Sequence, residues 1–462
     1  MSSEPRRLHF AAFVMNTNSH IQHGLWRHPA ARQSEFTSLS LWTDLAKTLE
    51  RGRFDAIFFA DVLGLYGPGD GDYTVNAREG LQFPNNDPSV LLGALTAVTE
   101  HLGLVFTSSV LQAHPFEFAR RVSTLDHLSG GRVGWNVVTS AQESAARNFG
   151  FDGLEEHDER YRWAEEYLEV VYKLWEGSWD DDALVNDPSR SVYADARGIH
   201  RIDHHGPRYD VAGPHLSAPS PQRTPVIFQA GSSPAGQAFA SRHAEGQFIL
   251  TSGLDKTRAL IESTRAQVAA TGRDPHDLSF FLGQSFVVGG TEEEAKRKEA
   301  ELDEYLSSDG FLLHSNLGFD PKTGEALDPD TPLSQLSTGT NVSHLQWMRE
   351  LSPDPDPKVR DLATLAAKLR GRVVGTPEQI ADRLEEWRDA GVTGINVMNW
   401  ILPDSFEEFV DDVIPVLQER GLAQREYDEG TLRRKLFGHD QLPDGHPGRA
   451  WRGAFRSDED GA

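Results

Sequence analysis

Apolar residues along this chain alternate between two patterns. Short continuous runs, bounded by Gly, Pro, Asp or Ser, are separated by longer segments in which apolar residues recur every three or four positions. The short runs are rich in β-branched and aromatic residues, which predicts buried strands. The first four cover Phe10 to Met15, Ala56 to Asp61, Gly103 to Val110 and Val133 to Val138. Four more cover Pro225 to Gly231, Gln247 to Thr251, Leu278 to Gly289 and Gly394 to Asn399. The segments between them predict helices. Leu39 to Arg51 carries Leu41, Trp42, Leu45 and Leu49 on one face and stops at Gly52. Pro88 opens a helix through Thr99, and His114-Pro115 opens another that carries Phe118, Val122 and Leu125. Asp158 to Trp175, Asp255 to Thr271, Thr291 to Ser307, Thr376 to Ala390 and Ser405 to Glu419 complete the set. Thr291 heads a capping box, and Thr376 is followed by Pro377 at the first helical position.

Eight strand–helix alternations without a break for a second core predict an α/β fold, a (β/α)8 TIM barrel forming a single domain over residues 1–440. A doubly wound open sheet is the alternative. Two stretches rich in Asp, Gly, Pro and Ser break the period, at about 176–222 after strand four and about 309–369 after strand seven. They predict insertions that cover one end of the barrel. From about Gly421 the chain reads as partly ordered, with 441–462 a polar C-terminal tail.

Composition narrows the class. Hydrophobic residues make up 38 % of 462 residues and no apolar run reaches membrane-spanning length, so no membrane partner is expected. Met1 to Arg7 is polar and shows no signal-peptide pattern, and there are no cysteines. That excludes disulfides, thiolate metal sites and cysteine nucleophiles, and predicts a cytoplasmic protein. The 70 acidic against 45 basic residues leave a net charge of −25, which argues against nucleic acid as a partner while leaving room for a local phosphate pocket.

Several predicted strands end in polar groups: Asp61, Thr107 with Ser108, Asn136 with Thr139 and Ser140, and Ser232 with Ser233. In a TIM barrel these ends converge on one mouth, where ligands bind. Each alone also fits a helix cap. Gly231-Ser232-Ser233-Pro234-Ala235-Gly236 joins a strand to a helix and offers free N–H groups and hydroxyls suited to a phosphate. A Ser N-cap followed by Pro explains the same residues. His157 and Tyr161 are four apart and share a helix face. Neither they nor the loop pair His204-His205 have the spacing of a metal site, and no metal is expected. The chain has no P-loop, no strand-linked dinucleotide fingerprint and no nucleophile elbow.

Taken together, these segments resemble the bacterial luciferase-like flavin monooxygenases, in the branch of nitrilotriacetate monooxygenase component A and dibenzothiophene sulfone monooxygenase. The most specific motif is Ser129-Gly-Gly-Arg132-x-x-Trp135-Asn136-Val-Val-Thr139-Ser140. Others are Phe58-Phe59-Ala60-Asp61, Asn85-x-Asp87-Pro88, Glu156-His157-Asp158-Glu159-Arg160-Tyr161, Gln229-Ala-Gly-Ser-Ser-Pro-x-Gly236 and Arg372-Val-Val-Gly-Thr-Pro377. The resemblance spans about residues 8 to 437.

It implies a TIM barrel that takes reduced FMN from a separate NAD(P)H:flavin reductase. Oxygen then adds to the flavin, and the C4a-(hydro)peroxyflavin oxygenates a small organic substrate. By matching position, Asp61, Thr107 or Ser108, and Asn136 would line the ring and ribityl part, while His157, Tyr161, Ser232 and Ser233 would hold the phosphate end. The stretch 309–369 would act as a water-excluding lid. His20 and His23, in the loop after the first strand, are candidates for steering the peroxide proton, with ordinary loop histidines as the alternative. A homodimer or homotetramer is implied as well. Alkane-oxidising relatives use a cysteine near the first strand, and this chain departs from them there. The competing readings are an F420-dependent oxidoreductase and a non-catalytic barrel that has lost flavin.

Overall fold

The computed structural model describes residues 7–67, 72–251, 253–315, 327–336, 349, 352–362, 365 and 371–456. Eight parallel strands close into a barrel: β1 His9–Met15, β2 Ala56–Ala60, β3 Gly103–Ser109, β4 Val133–Val138, β5 Val226–Gln229, β6 Gly246–Ile249, β7 Ser279–Val288 and β8 Gly394–Met398. Each pairs with its successor, and β8 closes on β1 with Ala11 beside Asn396. The TIM barrel follows from the sequence pattern because each run is too short to satisfy its backbone alone.

Successive side chains point alternately into the barrel and out to the helices. The interior is plugged by phenylalanines. Phe13 lies 5.5 Å from Phe58 and 5.0 Å from Phe248, and Phe228 lies 5.4 Å from Phe58 and 5.5 Å from Phe281. Outward-facing residues meet the helix layer, as where Phe59 packs at 5.2 Å on Trp42 of α1 Leu39–Arg51. The aromatic plug separates the two ends of the barrel. Polar groups at the mouth therefore sit on an apolar floor.

Two expectations change. The stretch 176–222 begins and ends at the N-terminal end of the barrel, where Glu176 accepts from the Thr224 hydroxyl at 2.6 Å. It follows the helix after β4 and carries two short antiparallel pairs, Leu184–Asp187 with Val192–Ala194 and His204–His205 with Asp210–Val211. It then returns to the N-terminal end, where Gln222 donates to Asp126 at 2.7 Å and to the Val133 carbonyl at 2.9 Å. The described part of 309–369 packs a small cluster of its own, with Phe311, Leu312, Leu333, Val359 and Leu362 buried together; the rest of that expectation lies outside the described residues. Arg372–Gly375 forms a further strand, parallel to the upper half of β7.

The segment expected to be partly ordered is built into the fold over its described residues, 421–456. Its helix Leu432–Phe437 places Arg433, fully buried, on Glu245 at 2.6 Å, and His446 is buried against the His243 carbonyl at 2.8 Å. Its polar composition concealed burial because the buried groups are paired ions and hydrogen-bonded rings.

Candidate active site

The C-terminal ends of β2, β3, β4 and β5 surround a cavity of about 260 Å3. Asp61 stands at the β2 side, immediately beyond the strand. Its carboxylate accepts from the Asn85 amide at 2.6 Å and from the Val62 N–H at 2.9 Å. Burial pushes the Asp61 carboxyl up to about 7, helped by Asp87 and opposed by the Asn85 bond. Asp87 itself caps the helix Pro88–Leu95 by accepting from the Ser89 N–H. The two polar residues of the motif Asn85-x-Asp87-Pro88 thus act on Asp61 in opposite directions, and burial is the larger influence.

On β3, Thr107 and Ser109 face inward and line the cavity. Ser108 lies between them and so faces the helices, its hydroxyl donating to Gln112 at 3.1 Å. Of the pair Thr107 and Ser108, the structure brings Thr107 to the cavity and turns Ser108 away from it. Asn136 of β4 sits beside Thr107 and donates to its hydroxyl at 2.9 Å. The Asn136 carbonyl oxygen is buried without a hydrogen-bond partner. It is a polar acceptor held ready beneath the floor, and leaving one unmade costs about 1–3 kcal/mol.

Beyond β4 the chain turns sharply. Ser140 has φ of 59°, in the left-handed region, and its hydroxyl donates to Ser109 at 2.8 Å. The Ser140 carbonyl accepts from the guanidinium of Arg160, whose Nε is buried with no hydrogen-bond partner. Arg160 lies in the first turn of the helix His157–Tyr172, which also supplies His157 and Tyr161. Tyr161 lines the cavity, bonded to Ser233 and Gln229, and burial pushes its hydroxyl up. The His157 ring meets the Ser233 hydroxyl at 3.1 Å on the rim.

Ser233 caps the helix Pro234–His243 by accepting from the Gly236 N–H at 3.1 Å. Ser232 is exposed at the same rim. Gly231 and Gly236 face each other under the Tyr161 hydroxyl. A Cβ on Gly231 would come within 2.8 Å of that oxygen, and one on Gly236 within 2.7 Å. The two glycines let the end of β5, the following helix and Tyr161 pack this closely at the cavity wall.

His20 and His23 are placed elsewhere. His20 packs its ring 4.9 Å from Phe13. His23 is buried between Ser19 at 3.1 Å and His314 at 2.7 Å, tying the loop after β1 to the helix Ser308–His314. Neither lines the cavity around Asp61.

The chain matches the model of the luciferase-like monooxygenase family over residues 17–394. It belongs to that family. It is 41 % identical over 452 residues to a long-chain alkane monooxygenase of Geobacillus thermodenitrificans (strain NG80-2), covering 97 % of this chain and 98 % of the relative. It is 35 % identical over 427 residues to nitrilotriacetate monooxygenase component A of Aminobacter aminovorans, covering 90 % and 94 %. A crystal structure of riboflavin lyase with modified FMN and substrate riboflavin superposes with a TM-score of 0.87 at 36 % identity, over 97 % of this chain and all of the other. The expected branch and barrel are therefore both found, and the two sequence relatives named here are monooxygenases.

Sequence reasoning missed Ser109, Gln229, Arg160 and Asn85 as site residues. Ser109 was within reach, since it follows Thr107 at the strand period of two. Arg160 and Asn85 stand inside two of the family motifs, but no periodicity gives their contacts, because these depend on how separate loops meet.

Proposed function

We propose that this luciferase-like chain is the oxygenating component of a two-component monooxygenase, taking reduced FMN from a separate NAD(P)H:flavin reductase and using O2 to oxygenate a small organic substrate. The observation that carries this reading is the mouth cavity, in which Asp61, Thr107, Tyr161 and Gly231 share one concave wall across four consecutive strands. A flavin nucleotide needs such a site, with a polar group for the ring at one side and donors for a phosphate at the other. The residues fit. The Asn136 side-chain oxygen and the Arg160 Nε are buried without hydrogen-bond partners beside residues of that wall, and Gly231 lines it.

Bound reduced FMN would supply the oxygen-activating chemistry. Asp61, half protonated at neutral pH, can donate to a ring carbonyl or accept from a ring N–H. His157, Tyr161, Ser232 and Ser233 would hold the phosphate, with Arg160 adding a cation. The phenylalanine plug keeps water from reaching the site through the barrel axis. The name component A of one relative supports the two-component part.

Anaerobic titration with reduced FMN, followed by mixing with oxygenated buffer, tests the reading. Saturable binding and reoxidation slower than that of free reduced FMN are expected. No binding, or reoxidation at the free rate, overturns it in favour of F420-dependent hydride transfer or a barrel without flavin.

A further inference from the structure

We propose that the N-terminal end of the barrel carries a second binding site, for a small organic anion bearing a phosphate or carboxylate on a flat apolar body. A cavity of about 550 Å3 opens there, larger than the mouth cavity and at the opposite end of the barrel. Its floor lies where strands begin, at His9 of β1, Ser279 of β7 and Thr393 just before β8. Four basic side chains line it: Arg7, Arg265 of the helix Leu254–Ala270, Arg388 of the helix Pro377–Asp389 and Lys435. The acids on its wall are Asp277 and Asp389.

Two of the cations are committed only weakly. Arg388 pairs with Asp389 at 3.0 Å and Arg7 with Asp428 at 2.8 Å, but those carboxylates are 64 % and 65 % exposed. Solvated pairs of this kind hold by about 0–1 kcal/mol, so a bound anion can take their place. The Lys435 ammonium spends one donor on the His101 carbonyl at 3.1 Å, and burial pushes its pKa down. An ammonium has three N–H donors, and an anion beside it would offset that burial.

The net charge of −25 repels anions from the surface as a whole. Cations gathered in one recess make a local exception. Val392, Leu436 and Phe437 form an apolar wall. Phe437 and His439 stack nearly parallel, 28° apart with centroids at 6.2 Å. Both rings line the cavity, so a flat apolar body meets aromatic surface there and its charged group meets the cations.

Calorimetric titration of the full chain with phenyl phosphate tests the proposal, with phenol and inorganic phosphate as controls. Phenyl phosphate is expected to bind more tightly than either control. Its affinity should survive Ser233→Ala, which alters the mouth, and fall tenfold or more in Arg265→Gln/Arg388→Gln. No binding overturns the proposal, as does binding lost in Ser233→Ala but kept in the arginine variant. Equal affinity for inorganic phosphate overturns the flat body. Should the arginine variant not fold, wild-type crystals soaked with phenyl phosphate decide: density beside Arg265 and Arg388 supports the site, and density only at the mouth overturns it.

Discussion

Beneath β4, β5 and β6 the barrel is closed by a polar network in which the principal charges are answered. Arg433 donates to Glu245 at 2.6 and 3.0 Å and to the carbonyls of Gln222, Thr224 and Pro225, while Gln222 binds Asp126. At the mouth above the same strands, polar groups are left open. The side-chain oxygens of Asn85 and Asn136 lack hydrogen-bond partners, Ser140 holds a left-handed backbone, and Asp61 keeps a proton it would lose in water. Buried polarity serves two ends. Closed networks hold the fold, and open ones hold a ligand, at some cost to stability.

Five substitutions sharpen or break that contrast. The largest effect falls on the closed end: Glu245→Gln leaves the Arg433 charge buried and uncompensated, and should cost about 3–5 kcal/mol in urea unfolding. A loss under about 1 kcal/mol would show that this network is not what closes the barrel.

At the open end the sign reverses. The native state holds the Asp61 proton up to about pH 7, whereas the unfolded chain releases it near the usual value of 3.8. Ionising Asp61 therefore costs the native state, and stability falls as pH rises from about 4 to 7, by roughly 4 kcal/mol at most. Asp61→Asn should remove that slope. Unfolding free energies of the two proteins compared at pH 5 and pH 8 check it, because other titrating groups cancel in the difference. Equal slopes would mean that Asp61 is not held protonated.

Gly236→Ala drives a Cβ to within 2.7 Å of the Tyr161 hydroxyl and 2.9 Å of the Gly231 Cα. Crowding of this kind costs about 1–3 kcal/mol, and reduced-FMN affinity measured anaerobically should drop with it. Unchanged affinity would place the phosphate away from the cradle. Smallest in stability are Asn136→Ala and Ser233→Ala, at about 1 kcal/mol each. Both should weaken reduced-FMN binding about tenfold while the thermal transition stays cooperative, and unchanged flavin affinity in both would sink the site assignment.

The legibility of the site follows the same divide. Asp61, Thr107 and Tyr161 lie at the cavity, where the strand period and helix geometry project them. Ser108, one residue from Thr107, faces the helices, which in a strand is the difference between the two faces. His20 and His23 lie away from that cavity, since no periodicity governs a loop and the partner of His23, His314, lies far along the chain. The segment after 421 is hard to read for another reason. Composition counts charges without their partners, and Arg433 is buried only because Glu245 waits for it.

The sequence by itself determined the eight strands, their helices and the convergence of polar strand ends, because local periodicity and turn chemistry act over a few residues. Only the tertiary structure decided that the first insertion runs to the N-terminal end, that Arg372–Gly375 extends the sheet beside β7, and that Asn85 and Arg160 complete the mouth. Those features depend on contacts between segments distant in sequence, and burial alone decides which polar groups are paired and which are left open.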